Sequence, residues 1–118
     1  MQPAMTIDDL AARKCVPCKG TSPLTRSEAE HALQEIPGWK LVESSIQKEF
    51  RFKTYRDGLE FGYAVGETAE EQDHHPDILI RWRRVQLTLS THVIKGLSQN
   101  DFIMAAKSEL EYQKYSSL

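Results

Sequence analysis

Three helix-start signatures constrain the fold of this chain more than any other feature. In each, a serine or threonine precedes an acidic residue by three positions: Thr25 and Glu28, Thr54 and Asp57, Ser98 and Asp101. The hydroxyl can accept from the backbone N–H of the acidic residue, whose carboxylate bonds back, so backbone donors at a helix start are satisfied. The sequence therefore predicts three helices, beginning just after residues 25, 54 and 98.

The segments between these helices show the period of two that is typical of strands. Residues 39–52 and 77–92 each read as two strands joined by a tight turn. Apolar residues alternate from Val85 to Leu89, and by the same alternation His92 is expected on the polar face. Strand pairs separated by helices indicate an antiparallel sheet. We predict an α+β two-layer sandwich, order α-β-β-α-β-β-α, with four antiparallel strands and three helices on one face.

Length and composition indicate one globular domain. With 118 residues the chain has room for one core, and we interpret residues 1–23 as an N-terminal extension, mobile or partly ordered, and residues 24–118 as a single domain. Apolar residues are 40%, charged residues 27% and the net charge is -2, which argues against disorder and a nucleic-acid partner. No apolar run approaches the roughly 20 residues of a membrane span, and no signal core is present. We expect a cytoplasmic protein.

The only cysteines, Cys15 and Cys18, form a single Cys-x-x-Cys. Structural zinc sites use four ligands, and no second cysteine pair occurs in the chain. Two interpretations stay open: an N-terminal arm with reduced thiols, which we favour, and a metal knuckle completed by a histidine such as His31.

Adjacent histidines, His74 and His75, stand between a cluster of carboxylates and a predicted strand, and His92 lies near the end of the next strand. If these strands form a hairpin, the start of one lies beside the end of the other, so the three imidazoles should converge. Metal ligation, proton transfer and a capped turn are the alternatives. Adjacent residues on extended backbone point to opposite sides and no His-x-His spacing occurs, so proton transfer, which imidazole performs near neutrality, is favoured.

These residues resemble the motif of the pterin-4a-carbinolamine dehydratases. The matching positions are Glu70, His74, His75, Pro76, Trp82, His92 and Asp101, and the resemblance covers about residues 25–112. It implies an α+β fold, dimers joined at their sheet edges, and dehydration of a 4a-hydroxytetrahydropterin to quinonoid dihydropterin. The substrate would be the product of an aromatic amino acid hydroxylase, so the partners implied are a small pterin and, functionally, such a hydroxylase.

The resemblance also implies roles for individual residues. The expected catalytic residues are His74, His92, His75 and Glu70, with His74 and His92 as the acid–base pair. The expected substrate-binding residues are Asp73, Ser90, Thr91, Asp101 and Trp39. For Trp39 a packing role is an equal alternative, and for Asp101 the capping of the last helix is sufficient by itself. No metal or cofactor is expected.

Two other functions are compatible with the same residues. One is a non-catalytic regulatory or assembly-factor module on the same fold; the retention of three histidines argues for the enzyme instead. The other, weaker alternative is a small metalloprotein that uses the three histidines and a carboxylate.

Overall fold

The computed structural model describes residues 6–115. Its elements in chain order are α1 (Ile7–Ala11), α2 (Arg26–Leu33), β1 (Lys40–Val42), β2 (Ser45–Arg51), α3 (Tyr55–Gln72), β3 (Asp77–Arg81), β4 (Arg84–Leu89) and α4 (Gln99–Tyr112). Short 3-10 turns cover His92–Ile94 and Gln113–Tyr115.

The four strands form one antiparallel sheet in the order β1-β2-β4-β3. Strand β4 is central, pairing Leu89 with Ile46 of β2 and Thr88 with Asp77 of β3. This confirms the predicted α+β class and the antiparallel sheet. Strands β1 and β3 are the two edges.

The core lies between the sheet and the helices. Phe50 of β2 and Phe52, which directly follows β2, pack against Phe61 of α3, with ring centroids 4.9 and 5.2 Å from that of Phe61. Tyr112 of α4 packs edge-on against both Phe50 and Phe52. Offset and edge-to-face aromatic pairs of this kind add to the stabilisation from burial alone. The cluster fixes α4 against the sheet, and with it the position of the residues at the start of α4.

The three predicted helix starts are confirmed. Full capping boxes occur at Thr25 with Glu28 and at Ser98 with Asp101, while Thr54 Oγ1 accepts from the backbone N–H of Asp57 at 3.0 Å. These local signals therefore set the register of α2, α3 and α4 as the sequence predicts.

Helix α1 was not predicted. It has five residues, a capping box at Thr6 with Asp9, and two buried side chains, Leu10 and Ala11. A helix this short is marginal alone, so its stability comes from packing, here against α4. The segment we interpreted as an extension thus contributes to the hydrophobic core.

The prediction that strand alternation reaches His92 is wrong. Strand β4 ends at Leu89 because its antiparallel neighbours offer almost no pairing partners beyond that residue. In β2, Leu89 pairs with Ile46, and only Ser45 precedes Ile46 in the strand. In β3, the first residue, Asp77, pairs with Thr88. The backbone of Thr91 instead pairs with Gly96, N to O at 2.7 Å. His92 therefore begins a 3-10 turn and is exposed.

Within residues 6–115, no helix combines the length and the apolar character needed to span a bilayer.

Candidate active site

His74 is placed by the end of helix α3. Asp73, the C-cap, adopts the left-handed conformation with φ 51 and ψ 43, and the His74 N–H then donates to the carbonyl of Ala69 at 3.2 Å. This arrangement closes the helix and redirects the chain. His74 becomes 8% exposed.

Asp101 holds the imidazole of His74. It is fully buried in the first turn of α4, and its Oδ1 lies 2.6 Å from His74 Nε2. Its Oδ2 accepts from Thr91 Oγ1 at 2.8 Å and from the Ser98 N–H at 3.0 Å. An ionised carboxylate only accepts, so in this arrangement Nε2 of His74 carries the hydrogen. We refer to His74 and Asp101 as the dyad.

The second ring nitrogen of His74 is left available. Among residues 6–115, no side chain or backbone group hydrogen-bonds to Nδ1. The only buried side-chain polar atom without a partner in this range is Glu35 Oε2, so Nδ1 keeps some exposure to solvent. An imidazole whose one nitrogen is fixed by a buried carboxylate keeps the lone pair of the other for proton transfer. The dyad therefore has the arrangement of an oriented general base.

His75 lies on the exposed side of the same segment. Its Nε2 is 3.0 Å from Oε1 of Glu70, and the two side chains are 52% and 76% exposed. Surface pairs of this kind contribute at most about 1 kcal/mol, so Glu70 orients His75 only weakly. The two neighbouring imidazoles thus have different environments, as alternating backbone directions predict.

His92 lies one residue after Thr91, whose hydroxyl bonds to Asp101. Its side chain is exposed and makes no hydrogen bond with any other residue in the described range. The chain at His92 therefore reaches the end of the sheet where the dyad lies, as the predicted hairpin requires.

The predicted substrate-binding residues are distributed unevenly. Thr91 and Asp101 are buried inside the network around the dyad, Ser90 is half-buried beside it, and Asp73 is exposed at the end of α3. Thr91 and Asp101 thus bond to other protein groups, while Ser90 and Asp73 directly precede Thr91 and His74 in the chain.

Trp39 is not brought to this cluster. It is 6% exposed, packs on Phe50 and donates from Nε1 to Glu109 Oε2 at 2.9 Å. Glu109 lies eight residues after Asp101, about 12 Å along α4 at 1.5 Å per residue. The structure gives Trp39 the packing role that the sequence left open.

Sequence reasoning missed Ser98 and Asn100 as part of this region. The Ser98 hydroxyl lies 2.7 Å from Thr91 Oγ1 and accepts from the Asn100 N–H at 3.2 Å. The available signal was the capping box itself, in which only Asp101 was assigned a role at the site beyond capping. Its carboxylate caps α4 and binds His74 at the same time.

The described part of the chain contains no preformed set of metal ligands. Across residues 6–115, no three or more His, Cys, Asp or Glu side chains are placed to hold an ion. His31 therefore does not complete a site with Cys15 and Cys18, which are free thiols. Burial raises the pKa of Cys15 to about 11, so this thiol stays protonated near neutrality.

Comparison with known proteins settles the family. The model of the family described as pterin 4 alpha carbinolamine dehydratase matches residues 22–110. The chain belongs to this dehydratase family. The match confirms the family that the histidine motif indicates.

Relatives of this dehydratase extend the match along most of the chain. A protein of Rubrobacter xylanophilus named "Putative pterin-4-alpha-carbinolamine dehydratase" is 47% identical over 103 residues, covering 86% of this chain and 96% of its own. A protein of Nitrosospira multiformis with the same name is 42% identical over 109 residues, covering 92% and 96%. The crystal structure of a transcriptional coactivator/pterin dehydratase from Brucella melitensis superposes with a TM-score of 0.73 at 34% identity, covering 76% and 98%.

Proposed function

We propose that this chain removes water from 4a-hydroxytetrahydrobiopterin to give quinonoid dihydropterin, with imidazoles as acid and base and without a metal. The observation that carries the proposal is the 2.6 Å bond between His74 Nε2 and the buried Asp101. Membership of the dehydratase family and the names of its relatives support the substrate class.

The reaction needs two proton transfers on neighbouring atoms. The bond between the carbinol carbon and its hydroxyl oxygen breaks, and the oxygen must gain a proton because hydroxide is a poor leaving group. The adjacent ring nitrogen loses its proton as its double bond to the same carbon forms. One proton is donated and one is taken up, water leaves, and no electrons are transferred, so one acid and one base suffice.

His74 suits the role of base. Its Nδ1 lone pair is free, and the Asp101 carboxylate would stabilise the imidazolium that forms when Nδ1 takes up the nitrogen proton. His92 then serves as the acid, because its side chain is exposed, makes no hydrogen bond within the described residues, and directly follows Thr91 of the same network. His75 with Glu70, together with Asp73 and Ser90, would hold the pterin at the rim.

A second candidate function is a non-catalytic regulatory or assembly-factor module. The similar Brucella melitensis protein is named a transcriptional coactivator as well as a pterin dehydratase, and this name supports a regulatory module as the second candidate. Against it, a scaffold does not require a histidine bonded to a fully buried carboxylate. The dyad therefore favours the enzyme.

The two functions separate in a stopped-flow assay of 4a-hydroxytetrahydropterin decay. The decay rate should rise in proportion to the concentration of the protein, above the rate in buffer. Equal rates with and without protein would eliminate the dehydratase and leave the module. Generating the carbinolamine in place with an aromatic amino acid hydroxylase tests the proposed functional coupling to such a hydroxylase.

We also propose that the chain is a homodimer across strand β3. This strand is a sheet edge, and its Leu79 and Ile80 are 43% and 36% exposed. An open edge with apolar side chains favours pairing with a second copy. Light scattering should give twice the 13.5 kDa mass of one chain; a monomeric mass at micromolar concentration would contradict the dimer.

A further inference from the structure

The segment Cys15–Cys18, which we call the clip, contacts both parts of the chain that carry the dyad. The backbone N–H of Cys15 donates to Gln72 Oε1 at 2.9 Å, and the N–H of Val16 donates to Asn100 Oδ1 at 3.0 Å. Gln72 stands two residues before His74, and Asn100 stands one residue before Asp101. Two adjacent amides of the clip thus join the end of α3 to the start of α4.

Asn100 directs its whole side chain at the clip. It is 5% exposed, and besides accepting from Val16 it donates from Nδ2 to the Val16 carbonyl at 2.6 Å and to Cys18 Sγ at 3.1 Å. Both amide hydrogens and the amide oxygen are therefore used. The capping of α4 does not need them, because Ser98 and Asp101 supply it. The contacts of Asn100 serve the attachment of the clip.

We propose that Gln72 and Asn100, joined through the clip, are positioning residues for the dyad. His74 follows the end of α3 and meets a carboxylate 27 residues away, so the length of their bond depends on how closely the end of α3 approaches the start of α4. A displacement of about 1 Å between oriented groups is enough to cost a catalyst a large part of its rate. The catalytic consequence rests on the proposed function; the positioning itself does not.

The same N-terminal segment offers a matched control. Lys107 Nζ donates to the carbonyl of Ala11 at 2.6 Å, so it also ties this segment to α4. Lys107 lies six residues after Asp101, about 9 Å along the helix. Loss of this bond should loosen the attachment of the segment and leave the dyad in place.

The test compares Asn100→Leu and Gln72→Met with Lys107→Met in the full chain. We expect kcat for dehydration to fall about tenfold in the first two, with KM changed less than about twofold. Nitrogen-15 NMR of the His74 ring should show one tautomer, with hydrogen on Nε2, in the wild type and in Lys107→Met. In the other two variants the tautomers should mix.

The inference is overturned if either Asn100→Leu or Gln72→Met keeps both the wild-type kcat and the single His74 tautomer. Gln72→Met is a conservative change at a half-buried side chain, so it provides a folded variant even if Asn100→Leu unfolds. A wild type without dehydratase activity would defeat the proposed function alone. The NMR comparison would still decide whether the clip positions the dyad.

Discussion

His74→Gln should lower kcat for dehydration by about 10²- to 10⁴-fold while leaving the free energy of unfolding close to that of the wild type. The glutamine Nε2 stands as many bonds from Cβ as the imidazole Nε2, so it can still donate to Asp101 Oδ1. An amide, however, does not take up a proton near neutrality. Steady-state kinetics and denaturant unfolding measure the two quantities separately.

The control for this variant is His31→Gln, an exposed position on helix α2. It should alter neither the rate nor the stability. A His74→Gln protein within about threefold of the wild-type rate would remove His74 from the chemistry, since general acid–base groups contribute far more than that.

Asp101→Asn should reduce kcat by about 10²-fold or more and destabilise the fold by about 1–3 kcal/mol. All three partners of the carboxylate, His74 Nε2, Thr91 Oγ1 and the Ser98 N–H, donate to it. An amide offers only one accepting oxygen, so at least one partner must face its NH2 group. If that partner is His74, its hydrogen moves to Nδ1 and the lone pair needed by the base is lost.

Glu28→Gln is the matched control for this change. Glu28 has the same place in the capping box of α2, where its Oε1 accepts from the Thr25 N–H at 2.8 Å, with no histidine attached. This variant should weaken the cap of α2, lower the free energy of unfolding by about 1 kcal/mol, and leave kcat unchanged. If Asp101→Asn shows the same pattern, a loss of stability alone, Asp101 is only a cap.

Local signals explain why most of the fold could be predicted from the sequence. The capping residues Thr25, Thr54 and Ser98 act on backbone groups three residues away, and strand alternation is equally local. Helix α1 has a capping box too, Thr6 with Asp9, but its five residues form a stable helix only because Leu10 and Ala11 pack against α4. This tertiary packing could not be predicted from the local sequence.

The sequence was sufficient to predict that the site residues lie near one another, but not which hydrogen bonds they form. The hairpin between β3 and β4 accounts for the approach of His92 to the end of the sheet. The bond from His74 to Asp101 spans 27 positions and has no local signal, and the capping box already explains Asp101. For Trp39 the family resemblance predicted a role at the site, but its indole N–H donates to Glu109, away from the dyad.

The most direct test of a pterin bound at the dyad is NMR titration of protein labelled with nitrogen-15 in its four histidines. The ligand is 7,8-dihydrobiopterin, which has the bicyclic ring and no 4a-hydroxyl to lose. We predict that the ring signals of His74 and His92 shift until saturation, while that of His31 on α2 does not move. Saturable binding that leaves the His74 signal unchanged would contradict the account.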